Sequence, residues 1–151
     1  MRTRFTNQRG AALLETAVTI PIILLIAVGI FEFGRAYQTW QVLTNAAREG
    51  ARIAILSETT DVQVRTAVER YMSGGGLPCV GASIPTTCAG KRATIAMDRN
   101  TPLGVNSGSQ VTVSYPYQFM VLNPIVRLIS PASRTGEPIT MQSVALMRNE
   151  G

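Results

Sequence analysis

The amino-acid sequence predicts an α+β protein in which a long N-terminal transmembrane helix continues outside the membrane. A second helix and a small antiparallel sheet of about three strands follow it. Three observations support this fold class: an apolar stretch long enough to span a bilayer, helical spacing in the residues behind it, and alternation of apolar and polar residues in the second half. A length of 151 residues fits one domain, or one domain with an appendage.

The transmembrane helix is predicted at residues 11–31, AALLETAVTIPIILLIAVGIF, where Glu15 is the one ionisable residue. As a helix this stretch would be about 31 Å long, enough for the hydrocarbon core of a bilayer. A cleavable signal peptide is the alternative, but its apolar region usually has only ~7–15 residues and ends at an A-x-A site. We therefore expect a retained single-pass helix that tolerates Pro21.

Basic residues are concentrated in front of this helix. The chain has 14 Lys and Arg against 9 Asp and Glu, and three arginines lie in the first ten residues, so that 11 basic residues accompany the 9 acids beyond them. The positive-inside rule places the N-terminus in the cytoplasm, and the residues from about 35 onward in the periplasm or the extracellular space. The remaining basic residues form no stripe, so we expect no nucleic-acid binding.

Arrangements typical of catalysis or metal binding are missing from the sequence. Histidine is absent, which excludes Ser-His-Asp and Cys-His catalysis and any metal site that contains histidine. Two cysteines cannot form a four-thiolate site within one chain, and the acids are not paired with a base or a nucleophile. We expect no enzyme activity, no cofactor, no metal ion and no small-molecule substrate.

Outside the membrane we expect a helical extension over residues 32–56 and an extracytoplasmic α+β domain over residues 57–151. Four small residues of the extension recur at a spacing of four: Ala46, Ala47, Gly50 and Ala51. Such a face allows another element to approach closely. That element is either a partner helix or the chain's own domain.

The domain is predicted to begin with a second helix, which Thr60 or Asp61 can cap and which Gly74–Gly76 end. Apolar residues at helical spacing mark its core face, and three strands follow. The predicted face is Val64, Ala67, Val68 and Tyr71, the predicted strands are Ala93–Met97, Gln110–Tyr115 and Pro138–Met147, and a short helix is predicted at Pro124–Ile129.

Cys79 and Cys88 enclose eight residues of a loop that contains Pro and Gly. In an oxidising compartment such a pair is predicted to form a structural disulfide. Redox-active or free thiols are the alternative, although redox pairs more often have C-x-x-C spacing.

Arg48, Glu49 and Arg52 form a candidate partner surface on the helical extension. Two arginines one helical turn apart can hold a partner's carboxylate bidentately. The alternative is an exposed charge cluster in which Glu49 bridges the arginines within the chain.

The junction RGAALLE at residues 9–15 combines a short basic leader (residues 1–10), a glycine and an apolar helix with Glu at its fifth position. This arrangement resembles type IV prepilins. The resemblance implies that a prepilin peptidase in the membrane cuts after Gly10 and leaves Ala11 as the new N-terminus. It also implies that Glu15 acts in assembly by pairing with the free α-ammonium of a neighbouring subunit. A glutamate that extends incidentally toward the cytoplasmic face is the alternative.

Residues 12–55 as a whole resemble the TadE-like domain of tight-adherence pilus systems. The matching features are Glu15, Pro21, the run Glu32–Arg35 and AAREGAR at residues 46–52. The C-terminal string ALMRNE at residues 145–150 also resembles the ends of that family's shorter members. The resemblance implies a membrane-anchored minor pseudopilin, a structural or assembly component of a Flp-type (type IVb) pilus used in cell adhesion. Its implied partners are the prepilin peptidase, other pseudopilins and the pilus assembly machinery. The alternative function is a membrane-tethered binding module of another envelope secretion complex.

Overall fold

The computed structural model describes residues 8–56, 58–77, 93–104, 106–121, 123 and 138–149. These residues form two helices and an antiparallel sheet of three strands, in the order β1-β2-β3. The α+β fold class is thereby confirmed. The bounds are α1, Gln8–Ala54; α2, Asp61–Gly74; β1, Thr94–Leu103; β2, Asn106–Tyr117; and β3, Ile139–Arg148.

Helix α1 runs without a break through the apolar stretch, Pro21 and the extension. Among the described residues it is the one helix long and apolar enough to cross a membrane. Residues 10–27 are all exposed, and Val28 and Gly29 are the first along the helix to be half-buried. An apolar helix without cover from its own chain indicates membrane anchoring.

The outer half of α1 provides the centre of the hydrophobic core. Leu43 and the small residues behind it are fully buried against α2 and the sheet. The small-residue face therefore packs on the chain's own domain, which is one of the two alternatives that its spacing allows. Gly50 is the closest point of approach, since a Cβ atom there would lie 2.6 Å from Val68 Cγ2 and 3.1 Å from Val111 Cγ1.

Both ends of α2 have the predicted residues. Thr60 is the N-cap, and it forms a capping box with Gln63. At the other end Gly76 has a φ of 76°, and Leu77 N–H donates to Met72 O over 3.1 Å. This left-handed glycine closes the helix in a Schellman arrangement, which satisfies carbonyls that would otherwise lack donors.

The predicted core face of α2 was wrong at one position. Val64, Val68 and Met72 are fully buried at a spacing of four, whereas Tyr71 is exposed. Because the helix has only 14 residues and α1 presents a narrow stripe of small side chains, one row of residues makes the contact. Tyr71 instead lies beside Val42 in a shallow groove between the helices.

Strand β1 extends beyond the predicted Met97 to Leu103. No strand was predicted there, because the residues after Met97 are mostly polar, include Pro102 and do not alternate. A register irregularity between Asp98 and Thr101 absorbs this break, and pairing with β2 continues to Leu103. Pro102 is tolerated because β1 is an edge strand of the described sheet. Gly104, with a φ of 65°, turns the chain into β2.

The predicted helix at Pro124–Ile129 and the cysteines Cys79 and Cys88 lie outside the described residues. The disulfide therefore stays a prediction.

Replacement of Gly50 by Ala should destabilise the domain relative to replacement of Gly34 by Ala. A Cβ atom at Gly34 would meet nothing within 4 Å, whereas one at Gly50 would collide with Val68. Overpacking of this kind costs about 1–3 kcal/mol. Denaturant unfolding of the detergent-solubilised full-length chain, followed by circular dichroism, measures the difference. Equal unfolding free energies of the two variants would contradict this packing.

Candidate functional site

The predicted processing site lies at the start of α1. Gly10 and Ala11 lie within α1, and both residues are exposed. Cleavage of the bond between them stays a prediction.

Glu15 is exposed on the apolar half of α1. Among the described side chains, none forms an ion pair with its carboxylate. The neighbouring hydroxyls are satisfied within the helix: Thr16 donates to Ala12 O over 2.8 Å, and Thr19 donates to Glu15 O over 2.7 Å. The carboxylate is therefore the polar group of this stretch for which the described chain supplies no partner.

Arg48, Glu49 and Arg52 lie on the outer half of α1, and Arg52 holds Glu49 through two hydrogen bonds. Arg52 Nε donates to Glu49 Oε2 over 2.9 Å, and Nη2 donates to Oε1 over 2.7 Å. These bonds lower the pKa of Glu49 below its ordinary value. The pair within the chain is thus formed, and Arg48 projects from the same face as an exposed cation. Binding of a partner by this surface stays a prediction.

Glu32 is the residue whose role sequence reasoning missed. It directly follows the predicted transmembrane helix, yet it is fully buried. Its carboxylate accepts a hydrogen bond from Val121 N–H, beyond the end of β2, and a long one of 3.5 Å from Arg35. Its backbone oxygen accepts from the Tyr117 hydroxyl over 3.3 Å. Glu32 therefore joins α1 to the end of β2.

Aromatic rings surround this junction. Phe119 packs edge-on against Tyr117, with ring centres 5.3 Å apart, and against Phe33 at 6.4 Å. The Arg35 guanidinium lies 5.8 Å from the centre of the Tyr117 ring. Burial raises the pKa of the Tyr117 hydroxyl, which donates to the Glu32 backbone oxygen. The run Glu32–Arg35 was a signal for this cluster, but nothing in its spacing identified the partners.

A second polar junction lies at the other end of the domain. Arg99 donates to Asp61 Oδ1 over 2.8 Å, to Thr59 O over 2.8 Å and to Ala54 O over 3.1 Å. The last of these is a terminal carbonyl of α1, which has no donor within the helix, so a cation here is favourable. Arg99 thus joins the end of α1 to the start of α2.

Asn149 completes this junction from the end of β3. Its Nδ2 donates to Arg99 O over 3.0 Å, and its Oδ1 accepts from Ser109 Oγ over 2.7 Å. The residue lies in the ALMRNE string that was predicted to resemble family C-termini. The string has a structural role, because Asn149 ties the end of the last strand to the irregular part of β1 that carries Arg99.

A cavity of about 320 Å³ opens between α1, the end of α2 and the end of β2. Its polar walls include Arg35, Gln38, Tyr115 and Gln118. No group of three potential metal-ligating side chains occurs among the residues that the structure describes. The arrangement therefore offers hydrogen-bonding groups rather than a metal centre.

One part of α1 matches a known protein family. It contains Gly10, Glu15, Glu32 and the AAREGAR string. Residues 10–52 match the model of the TadE-like protein family. The predicted resemblance is confirmed over these residues, named here the TadE-like segment. Helix α2 and the sheet lie outside the match. No curated protein and no solved structure matches the chain.

Removal of the Glu32 carboxylate from the TadE-like segment should destabilise the domain. Glu32→Ala leaves Val121 N–H and Arg35 without their acceptor, which should cost about 2–3 kcal/mol of unfolding free energy. Glu32→Gln retains an oxygen for Val121 and should lose less. Thermal and denaturant unfolding of the full-length protein in detergent measure both effects.

Glu49→Ala is the matched control, because it removes a carboxylate that is one-third exposed and that pairs only on the surface. Exposed ion pairs contribute little, so this variant should unfold close to the wild-type midpoint. If Glu32→Ala were as stable as the control, the junction would have no energetic role.

Proposed function

We propose that this chain is a membrane-anchored minor pseudopilin, a non-catalytic assembly component of a tight-adherence, type IV-like pilus. The observation that carries the proposal is the position of the TadE-like segment, which coincides with α1. The inner half of that helix is apolar and exposed, and its outer half is packed into a domain. Such a division suits a subunit that is held first by a bilayer and then by neighbouring apolar helices.

The charge around the span supports an N-terminus in the cytoplasm and a domain outside the inner membrane. In this orientation a prepilin peptidase would meet Gly10 at the cytoplasmic face. The partners in assembly would be other pseudopilins and the pilus machinery, which would contact the exposed half of α1 and the surface around Arg48. The predicted disulfide of Cys79 and Cys88 would form on the oxidising side.

Glu15 has the central role in the proposed assembly. A carboxylate near the bilayer centre costs about 2.5–3.5 kcal/mol, and less toward an interface. The described chain offers it no counter-charge. A neighbouring subunit with a free α-ammonium at Ala11 would neutralise it, so that cleavage and assembly depend on each other.

Processing should occur between Gly10 and Ala11. Mass-spectrometric sequencing of the N-terminus, on protein recovered from membranes of a cell with an active prepilin peptidase, measures it. Gly10→Val should block cleavage, because a side chain obstructs access to the scissile backbone. Gly29→Val, a change of the same size inside the span, should be processed normally. An intact Met1 on the wild-type protein would exclude this processing and would favour a tethered binding module.

Glu15→Gln should insert into the membrane at normal abundance but fail to support piliation. The amide keeps the shape and an acceptor yet removes the charge, and loss of one member of a desolvated ion pair costs about 3–5 kcal/mol. Glu15→Asp should be intermediate, since the charge remains with a shorter reach. Surface piliation is scored in a strain that carries only the variant, with membrane levels checked by immunoblot.

Glu58→Gln is the control, because it removes one charge from an exposed residue that belongs neither to the span nor to the predicted partner surface. Full piliation by the Glu15→Gln variant at normal abundance would eliminate the assembly role of Glu15 and leave the anchor intact.

A further inference from the structure

We propose that residues 118–121, named here the β2 loop, contact the headgroup region of the same membrane that holds α1. The inference rests on the membrane anchoring of the proposed function and adds a second site of contact with lipid. Three observations carry it: the depth of Glu32 along α1, the attachment of the loop to Glu32, and the apolar character of the loop.

The depth follows from helix geometry. A hydrocarbon core of about 30 Å takes roughly 20 helical residues, so a span that starts near Ala11 ends near Ile30. Headgroup layers add about 5–7 Å on each side. Glu32 and Phe33 lie two or three residues beyond Ile30, which places them inside the headgroup layer. A group that touches either residue lies at that depth as well.

The β2 loop is attached at this level and reaches slightly below it. Val121 N–H donates to the Glu32 carboxylate, and the Tyr117 hydroxyl donates to the Glu32 backbone oxygen. Side chains of a helix slant toward its N-terminus, so the Glu32 carboxylate lies on the membrane side of its own Cα. Val28 and Gly29, one turn deeper, are half-buried, in agreement with cover at that depth.

The loop has the chemistry of an interfacial contact. Its sequence, QFMV, contains no charge. Phe119 packs on Phe33, which is itself 69% exposed, and Met120 is 63% exposed. The exposed Phe33 ring, the half-buried Phe119 and the exposed Met120 continue the apolar surface of α1 sideways, onto the domain. Water would solvate this surface poorly, whereas the boundary between headgroups and acyl chains accepts it.

Fluorescence quenching by lipids tests the proposal. A cysteine labelled with an environment-sensitive nitrobenzoxadiazole dye is placed at Met120 of the full-length protein, with Cys79 and Cys88 replaced by Ser. The protein is reconstituted in phosphatidylcholine and phosphatidylglycerol vesicles that contain lipids with a nitroxide near the headgroup. Leu24→Cys serves as the control within the span, measured in the same vesicles with the nitroxide placed on the acyl chain. Val144→Cys serves as the control of similar exposure on the sheet face away from α1.

We expect quenching at position 120 to be several-fold stronger than at position 144, with a blue-shifted emission. Quenching at 120 as weak as at 144, while position 24 is quenched, overturns the lipid contact and leaves the anchor in place. A blue shift at 120 without lipid quenching also overturns it, because another protein would then cover the loop. Weak quenching at position 24 would instead refute the membrane anchoring itself.

A second measurement uses the wild-type protein, so that replacement of Cys79 and Cys88 does not affect the result. Wild-type protein in the same vesicles is exposed to a photoactivated carbene precursor carried on a lipid near its headgroup, and modified peptides are mapped by mass spectrometry. We expect adducts on residues 118–121 and none on residues 142–146 of β3. Adducts confined to α1 would contradict the proposal.

Discussion

The stripe of small residues on the outer half of α1 is the constraint on which the rest of the structure depends. Ala46, Ala47 and Ala51 are fully buried, and at Gly50 a single methyl group would collide with Val68. Because these side chains are small, both α2 and the sheet pack closely against the same helix. Since interiors are packed as densely as crystals, larger side chains would separate both elements from α1 at once.

Two polar junctions fix the domain along this stripe. Glu32 holds the segment after β2 against the middle of α1, and Arg99 holds the last turn of α1 at Ala54. The two positions are 22 residues apart, about 33 Å along a helix. A domain fastened at two points of a continuous helix cannot slide or hinge on it without breaking these part-buried hydrogen bonds. Force applied to α1 during the proposed assembly would therefore reach the sheet directly.

Helix α1 is divided by what its surface contacts. Its outer half is occupied by the chain's own core, so the small-residue stripe is not available to a partner helix. Its inner half is exposed and carries Glu15 without a counter-charge among the described residues. In the proposed pilus, the inner half of α1 therefore makes the helix-to-helix contacts between subunits. Arg48 and the Glu49–Arg52 pair present charge on a separate, solvent-facing surface.

The sequence alone determined the features that depend on neighbours along the chain. Hydropathy located the membrane anchor, Thr60 and the glycines located the ends of α2, and alternation located the centre of β2. The TadE-like segment was also predictable, because its residues lie in one continuous helix. Each of these signals arises from local backbone preference or from a periodic apolar face.

Tertiary structure decided whatever depended on partners distant in sequence. From the sequence, Glu32 is only a charge at the end of the apolar span. In the fold it is bonded to Val121 and Tyr117, which lie 89 and 85 residues away along the chain. Arg99 gave no local signal, because its acceptors lie on segments 38 to 45 residues earlier. The polar second half of β1 became a strand only because β2 supplied its ladder. Spacing marks which face of an element is apolar, but only the packed chain determines what lies against it.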